Sequence, residues 1–423
     1  MNINEIKIAI ENGQFDDDFK YLYGESEKAR IRYATACESF KGLYPVSGDI
    51  RLFSAPGRTE IGGNHTDHQH GCVLAGSVDL DVIAVVSLND DGKIRIKSEG
   101  FPEDEVDIND LGKNEKEIGK AISLIKGVCS KFVEMGCTLQ GFNAYTTSNV
   151  LKGSGLSSSA AFEVLIGNIV NRMFNDNKTS VIEIAKIGQF AEREYFGKPC
   201  GLLDQMASSL GGFTYADFSD PVEPITESIE LDISKYGYSL CVVDTGGNHA
   251  DLTDDYAGIT VECREISQAL DVSFLRDADT ERFYDNIATL RKDCGDRAVL
   301  RAFHFFNEQQ RVEAQRKALK EGNFVDFLAL VNESGQSSYD YLQNLYSTSN
   351  VTEQGLCLGI ALTKRFLKGK GACRVHGGGF AGTIQCYIPS RDVEEYKYFI
   401  EKVFGLGSCH ILSVRPVGGY EVG

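Results

Sequence analysis

Apolar positions along the chain keep two rhythms, and the changes of rhythm divide it. Residues 1–45 carry Ile6, Ile10, Phe19, Tyr23, Ala29, Tyr33 and Cys37 among charged residues, an amphipathic helical pattern without evident chemistry. From Asp49 the pattern becomes strand-like, with Ile50, Leu52 and Ser54 alternating with Arg51 and Phe53. Stretches 82–87 and 94–97 alternate around Asn89-Asp90-Asp91-Gly92, which predicts a hairpin. Over 115–135, Ile118, Ile122, Ile125 and Phe132 share one helical face. Phe142, Ala144, Thr146 and Ser148 predict a strand. It leads into Phe162, Leu165, Ile166, Ile169 and Met173, a helix buried on one face. Ser180-Val181-Ile182-Glu183 is a capping box that opens a helix through about Tyr195, with Glu192 in its last turns. Residues 221–232 turn acidic and loop-like and mark a domain boundary. An apolar strand at 238–245 follows, then helices over 257–271 and, in pieces, 281–345, with Tyr256 just before the first. Strands at 384–388 and 411–416 close the chain. The expected divisions are a helical extension at 1–48 and domains at 49–225 and 226–423.

Composition narrows the function classes. The 423 residues are 42% hydrophobic and 25% charged, enough for two or three domains with a sizeable core. The net charge of -18 argues against a nucleic-acid binder, so an anionic ligand needs a local positive site. The 12 cysteines are irregularly spaced without a Cys-x-x-Cys pair, and no apolar run has membrane-spanning length. These features predict reduced thiols in a cytoplasmic protein, with neither membrane nor nucleic acid as partner and no zinc site.

Chemistry concentrates in glycine-rich stretches. In 151–162, two glycines and four serines run directly into the apolar helix. Glycines allow a tight bend and close approach. The free N–H groups and positive dipole end of the helix favour an anion, so the stretch predicts a phosphate cradle. A serine-rich cap without ligand is the plainer alternative. The string is not a P-loop, and Ser158 stands where a dinucleotide fingerprint has its third glycine. Residues 55–71 pack Arg58, Glu60, Asn64, Asp67 and three of the chain's 7 histidines between glycines, as suits a hydroxyl-rich ligand. A solvated surface loop is the alternative there, and His65, His68 and His70 do not have zinc spacing. Asp204 follows a turn between apolar neighbours, where a helix cap is the commoner role. A further glycine cluster, Gly377-Gly378-Gly379, lies between strands.

Taken together these motifs resemble the GHMP small-molecule kinases, and among them the galactokinases. Gly57-Arg58 through His65-Thr66-Asp67 is similar to the sugar signature. Gly153 to Ala161 matches the Gly-Leu-Ser-Ser-Ser-Ala phosphate loop, Gly377-Gly378-Gly379-Phe380 the third motif, and Cys200-Gly201-Leu202-Leu203-Asp204-Gln205 the Cys-Gly-x-Met-Asp-Gln segment. The resemblance covers about residues 49–423. It implies an α+β, two-domain GHMP kinase fold, with a ribosomal protein S5-like N-terminal domain, a ferredoxin-like C-terminal domain and the active site between them. It implies ATP-dependent phosphorylation of the anomeric hydroxyl of galactose, with ATP and Mg²⁺ as cofactors. The partners are then a small-molecule sugar and ATP, with the oligomeric state open and a monomer compatible.

Residue by residue, the resemblance makes Asp204 the catalytic carboxylate and Arg58 its charge partner. Gly153, Ser154, Gly155, Leu156, Ser157 and Ser158 bind nucleotide phosphates, and Ser159 and Glu192 bind Mg²⁺. Asn64, His65, Asp67, Gly201 and Tyr256 contact the sugar. Four departures touch sugar identity: Glu60 replaces an Asn, Asn64 a Glu facing the sugar O6, His68-Gln69 a Tyr-Asn pair, and Ala381 a glycine. Asn64 is neutral, and a protonated His68 would attract an anion, which leaves a C6-altered sugar such as galacturonate as an alternative. An inactive galactose- and ATP-responsive regulator is another, which intact Asp204 and Ser158-Ser159-Ala160 oppose.

Overall fold

The computed structural model describes residues 1–44, 48–150, 155–247 and 252–423. Helices α1 (Ile3–Glu11), α2 (Asp16–Tyr23) and α3 (Glu27–Leu43) form the extension. Their apolar faces, with Ile6, Ile10, Phe19, Tyr33 and Phe40, bury against Leu52, Ile83, Val85 and Tyr145. Arg32 of α3 also joins the buried Asp81, which Arg415 and Ser54 neutralise and hydrogen-bond from the other side.

Next come β1 (Ile50–Gly62), β2 (Cys72–Leu88), β3 (Lys93–Ser98), β4 (Glu103–Asp107), α4 (Ala121–Glu134) and β5 (Phe142–Ser148). Then follow α5 (Ser158–Phe174), α6 (Val181–Phe190), a π-helical turn at Ala191–Phe196, α7 (Leu203–Leu210), β6 (Phe213–Asp217) and β7 (Ile225–Ile229). The remaining elements are β8 (Tyr238–Asp244), α8 (Thr253–Ala269), α9 (Thr280–Asp285), α10 (Ile287–Asp293), α11 (Asp296–Lys320) and α12 (Phe324–Ser337). After these lie α13 (Gly355–Leu367), β9 (Ala372–His376), β10 (Thr383–Pro389), α14 (Val393–Phe404), β11 (Cys409–Leu412) and β12 (Tyr420–Val422).

Among the described residues the strands form two sheets. The larger has the order β12-β1-β2-β5-β3-β4, with β6 pairing with β2 and β7 pairing with β6. The smaller has the order β11-β8-β10-β9. The expected boundary at 225/226 therefore cuts β7, which belongs to the first sheet, and β12 returns to that sheet at the far end of the chain. No helix among the described residues is long and apolar enough to cross a membrane. The 12 cysteines are free thiols.

Several local expectations change. The hairpin at 89–92 does not form, because β5 lies between β2 and β3, antiparallel to one and parallel to the other. Asn89 instead spans the start of β5, taking Gly141 O with its N–H at 2.9 Å and reaching Lys93 O and Asn143 Oδ1 through its amide. The helix expected at 115–135 starts only at Ala121, since Gly119 takes φ +78° and breaks it. Helix α5 is buried on nearly every side, including Glu163, Asn168 and Asn171. The glycine-rich stretch after Ser54 is largely strand. Chain β1 runs on to Gly62 with register shifts at Pro56/Arg58 and Glu60/Gly62, and such bulges re-aim side chains toward a site. Tyr256 lies inside α8 and not before it.

Candidate active site

Arg58 sits on β1, 5% exposed, beside the first register shift. Its guanidinium meets Asp204 Oδ1 through Nε at 2.7 Å and through Nη2 at 2.7 Å, and it also donates to Gly155 O. Its backbone N–H donates to Leu156 O at 3.0 Å. The neighbouring Gly57 makes this docking possible, because a Cβ there would stand 2.8 Å from Leu156 O. The glycine–serine stretch before α5 is thus fastened to β1 through the carbonyls of Gly155 and Leu156.

Asp204 occupies the first turn of α7, whose N-cap is Leu202, so the cap role is not its own. Its second oxygen accepts from Ser157 Oγ. Burial opposes its charge, but Arg58, Ser157 and the Lys198 ammonium outweigh burial and hold its pKa below the ordinary Asp value. Ser157 likewise makes no cap hydrogen bond with its side chain. It takes a left-handed φ of +56° and turns its hydroxyl to Asp204. Gly155, at φ +69°, lies where a Cβ would press on Thr383 and His376 of the second sheet. Ser158 and Ser159 begin α5. Gly153 and Ser154 lie outside the described residues.

Ser159 Oγ donates to Glu192 Oε1 at 2.9 Å. Glu192 lies in the π turn that prolongs α6, its side chain 2% exposed. Its other oxygen accepts from Gln205 Nε2 at 2.8 Å, and the same amide donates to Glu163 Oε2 at 3.0 Å. Burial and the adjacent Glu192 push the Glu163 carboxyl far above its ordinary pKa.

The signature residues gather around the third glycine motif. Asn64 is fully buried. Its Nδ2 donates to Glu60 Oε1 at 2.9 Å and Gly377 O at 2.7 Å, and its Oδ1 accepts from Asn344 at 2.8 Å. His65 Nε2 donates to Gly378 O at 2.8 Å, and Tyr256 Oη to Gly379 O at 2.8 Å. A Cβ at Gly378 would come within 2.5 Å of the Tyr256 ring, so the ring requires glycine there. Asp67 lies against Gly201, where a Cβ would approach its carboxylate to 1.6 Å. Burial and the nearby Asp204 charge raise Asp67 to about 6. Burial lowers His65 to about 4 and His68 to about 3, so both rings are neutral at pH 7. The expected attraction of a protonated His68 is therefore missing. Glu60 pairs with Arg374 at 2.7 Å, both buried.

Comparison with known proteins places the chain in a family. A model described as "GHMP kinases N terminal domain" matches residues 123–212. One described as "Galactokinase galactose-binding signature" matches residues 38–88. A galactokinase of Actinobacillus pleuropneumoniae is 33% identical over 353 residues, covering 82% of this chain and 87% of that relative. The chain belongs to the galactokinase family. A Lactobacillus helveticus galactokinase is 31% identical over 84% of this chain and 89% of its own length. The fold matches a crystal structure of Lactococcus lactis galactokinase complexed with galactose, with a TM-score of 0.79 at 24% identity, over 92% of this chain and 99% of that one. The α+β fold is thus that of the GHMP kinases, and the chain is an enzyme of the galactokinase family.

The family signature spans Arg58 to Asp67, but several partners of these residues carry no motif. Asn344 and Arg374 touch signature residues, and Lys198 and Glu163 touch or face Glu192, each from a distant or unremarkable stretch. Only a carboxylate replacing Asn at Glu60 hinted at a buried cation opposite.

Proposed function

We propose that this chain transfers the γ-phosphoryl group of ATP to the anomeric hydroxyl of galactose, giving galactose 1-phosphate and ADP. The observation that carries this reading is the placement of Asp204. It is ionised, held by Arg58 and Ser157, and faces the start of α5, where Ser159 pairs with Glu192. Phosphoryl transfer of this kind needs positioning and charge neutralisation more than strong base catalysis. A carboxylate with a lowered pKa is a weak base. Asp204 therefore orients the sugar hydroxyl and takes its proton late, as the bond to phosphorus forms. Arg58 keeps that carboxylate ionised and adds positive charge beside the transferring group. Backbone N–H groups of residues 153–158 cradle the phosphates.

The donor set fits Mg²⁺: Ser159 Oγ and Glu192 Oε1 are hard oxygens 2.9 Å apart, and the carboxylate is buried. When bound, Mg²⁺ neutralises charge on the nucleotide phosphates. The sugar faces His65, Asp67, Gly201, Tyr256 and Asn64, and the third glycine motif holds the polar ends of Asn64, His65 and Tyr256 in place. A neutral C6 hydroxyl suits this side better than a carboxylate, because His65 and His68 are neutral, and Arg58 and Arg374 are paired with Asp204 and Glu60.

The test is ADP release measured with galactose, galacturonate and glucose, with the product's phosphate position read by ³¹P NMR. The expected result is kcat/KM highest for galactose and a 1-phosphate product. A preference for galacturonate overturns the sugar assignment. No ADP release with any sugar overturns the reaction.

A further inference from the structure

Glu192 already holds a cation. The Lys198 ammonium lies 2.8 Å from Glu192 Oε1, the oxygen that also accepts from Ser159. Lys198 stands on the segment between the π turn and α7, after Gly197 at φ +82° and before Pro199. Its backbone N–H donates to Glu192 O at 3.1 Å. The two side chains differ sharply in exposure, 54% for Lys198 and 2% for Glu192. A buried carboxylate without a counter-charge is costly, and here the counter-charge is supplied by a flexible, solvent-reaching stem. The same ammonium acts electrostatically on Asp204 and on Tyr256. The ammonium is thus in contact with Glu192 and close enough to Asp204 for its charge to act on that carboxylate. Glu163 lies behind Glu192 on the same Gln205 amide.

A divalent cation and an ammonium repel strongly at contact distance in a partly dry site, so both do not share Oε1. Arg58 is buried and bonded to both Asp204 and Gly155 O, whereas the Lys198 stem is half exposed and leaves room for the ammonium to move. We propose that Lys198 is the resting counter-ion of Glu192, that it yields this place to the divalent cation of the nucleotide, and that its released ammonium then contacts the transferring phosphoryl group. The proposal rests on the phosphotransfer reading above and adds a catalytic cation to it. It ties nucleotide loading to the arming of the site: Lys198 reaches the phosphate only after the metal has taken Glu192.

The test uses the full chain and Mn²⁺ alone as probe, with free Mn²⁺ counted by electron paramagnetic resonance and no nucleotide present. Lys198→Met should bind Mn²⁺ about two- to fivefold more tightly than wild type, the scale of a partly exposed ion pair. In turnover assays the same variant should lose about tenfold or more in kcat, with the sugar KM within about twofold, and Lys198→Arg should recover part of the loss. Mn²⁺ affinity in Lys198→Met equal to or weaker than wild type overturns the exchange, and an unchanged kcat overturns the phosphoryl contact. Glu192→Gln separates this from the underlying assignment. Its loss of Mn²⁺ binding supports the metal site, and retained binding overturns the site and the proposal with it. Matching circular dichroism melts exclude misfolding as the cause.

Discussion

Under the proposed function, the phosphate side and the sugar side of the site are built in opposite ways. On the phosphate side, Ser157, Ser159, Glu192 and Asp204 stand on the first turns of α5 and α7 and on the π turn, within one stretch of about fifty residues. Their contacts are ionic and short in sequence, apart from Arg58. On the sugar side, Asn64, His65 and Tyr256 take the three successive carbonyls of Gly377, Gly378 and Gly379, which lie more than a hundred residues away in every case. The first side keeps charges poised. The second closes its hydrogen bonds on the protein and fixes a shape. Damage should therefore cost rate on the first side, and stability or sugar affinity on the second.

The largest effect is expected at Asp204. Asp204→Asn should fold and bind sugar and nucleotide, and lose turnover by about 10²-fold or more, the scale of acid–base and positioning groups. Binding is read by calorimetry and turnover by ADP release. Near wild-type turnover would remove Asp204 from the chemistry and erase the distinction drawn above.

Next comes the buried pair behind the sugar side. Arg374→Met leaves Glu60 buried without its cation, and removing one partner of such a pair costs about 3–5 kcal/mol. Glu60 is already raised to about 7 by burial, against the pull of Arg374 and Arg58. Without Arg374 it rises further. An acid whose folded pKa lies above its unfolded value loses stability as pH rises through that window, so the deficit should be larger at pH 8 than at pH 6. Denaturant melts at the two pH values check the size and the sign. A loss below about 1 kcal/mol at both would show that the pair does not hold this side together.

Glu192→Gln acts on the phosphate side alone. The Mg²⁺ concentration for half-maximal rate should rise at least about tenfold, while the melting temperature stays near wild type. An unchanged Mg²⁺ requirement would detach Glu192 from the metal.

The contrast also explains what was legible in the sequence. Helical and strand periods revealed most elements, and the start of α5 could be placed because a contiguous glycine–serine stretch leads into it. The local pattern left capping open for Ser157 and Asp204, because a hydroxyl and a carboxylate that pair with each other look locally like two capping residues. The hairpin at 89–92 failed because a turn signal does not say which strand will lie between its arms. On the sugar side, Asn64 carried a visible departure, but its partner Asn344 lies 280 residues away in a stretch without pattern. Arg374 was equally silent, since one arginine in an apolar strand does not announce a buried carboxylate on β1.

The smallest effect, and the one that sharpens the comparison most, is a pH split between the two sides. Asp67 is raised to about 6 by burial and by Asp204, whereas Asp204 itself is held below its ordinary value. As pH falls through about 6, Asp67 takes up a proton and loses an acceptor for sugar hydroxyls, while Asp204 remains ionised. The sugar KM should then rise, by about tenfold at one unit below that pKa if only the carboxylate form binds, and kcat should hold. His65 and His68, lowered to about 4 and about 3, stay neutral throughout and do not contribute. Glu60, near 7, is the other group in range, and Asp67→Asn separates the two. In that variant the rise in KM around pH 6 should vanish, and any residual dependence near pH 7 belongs to Glu60. If kcat falls while KM rises in the wild-type enzyme, the two carboxylates titrate as one coupled pair, and the sugar side is not separate from the chemistry.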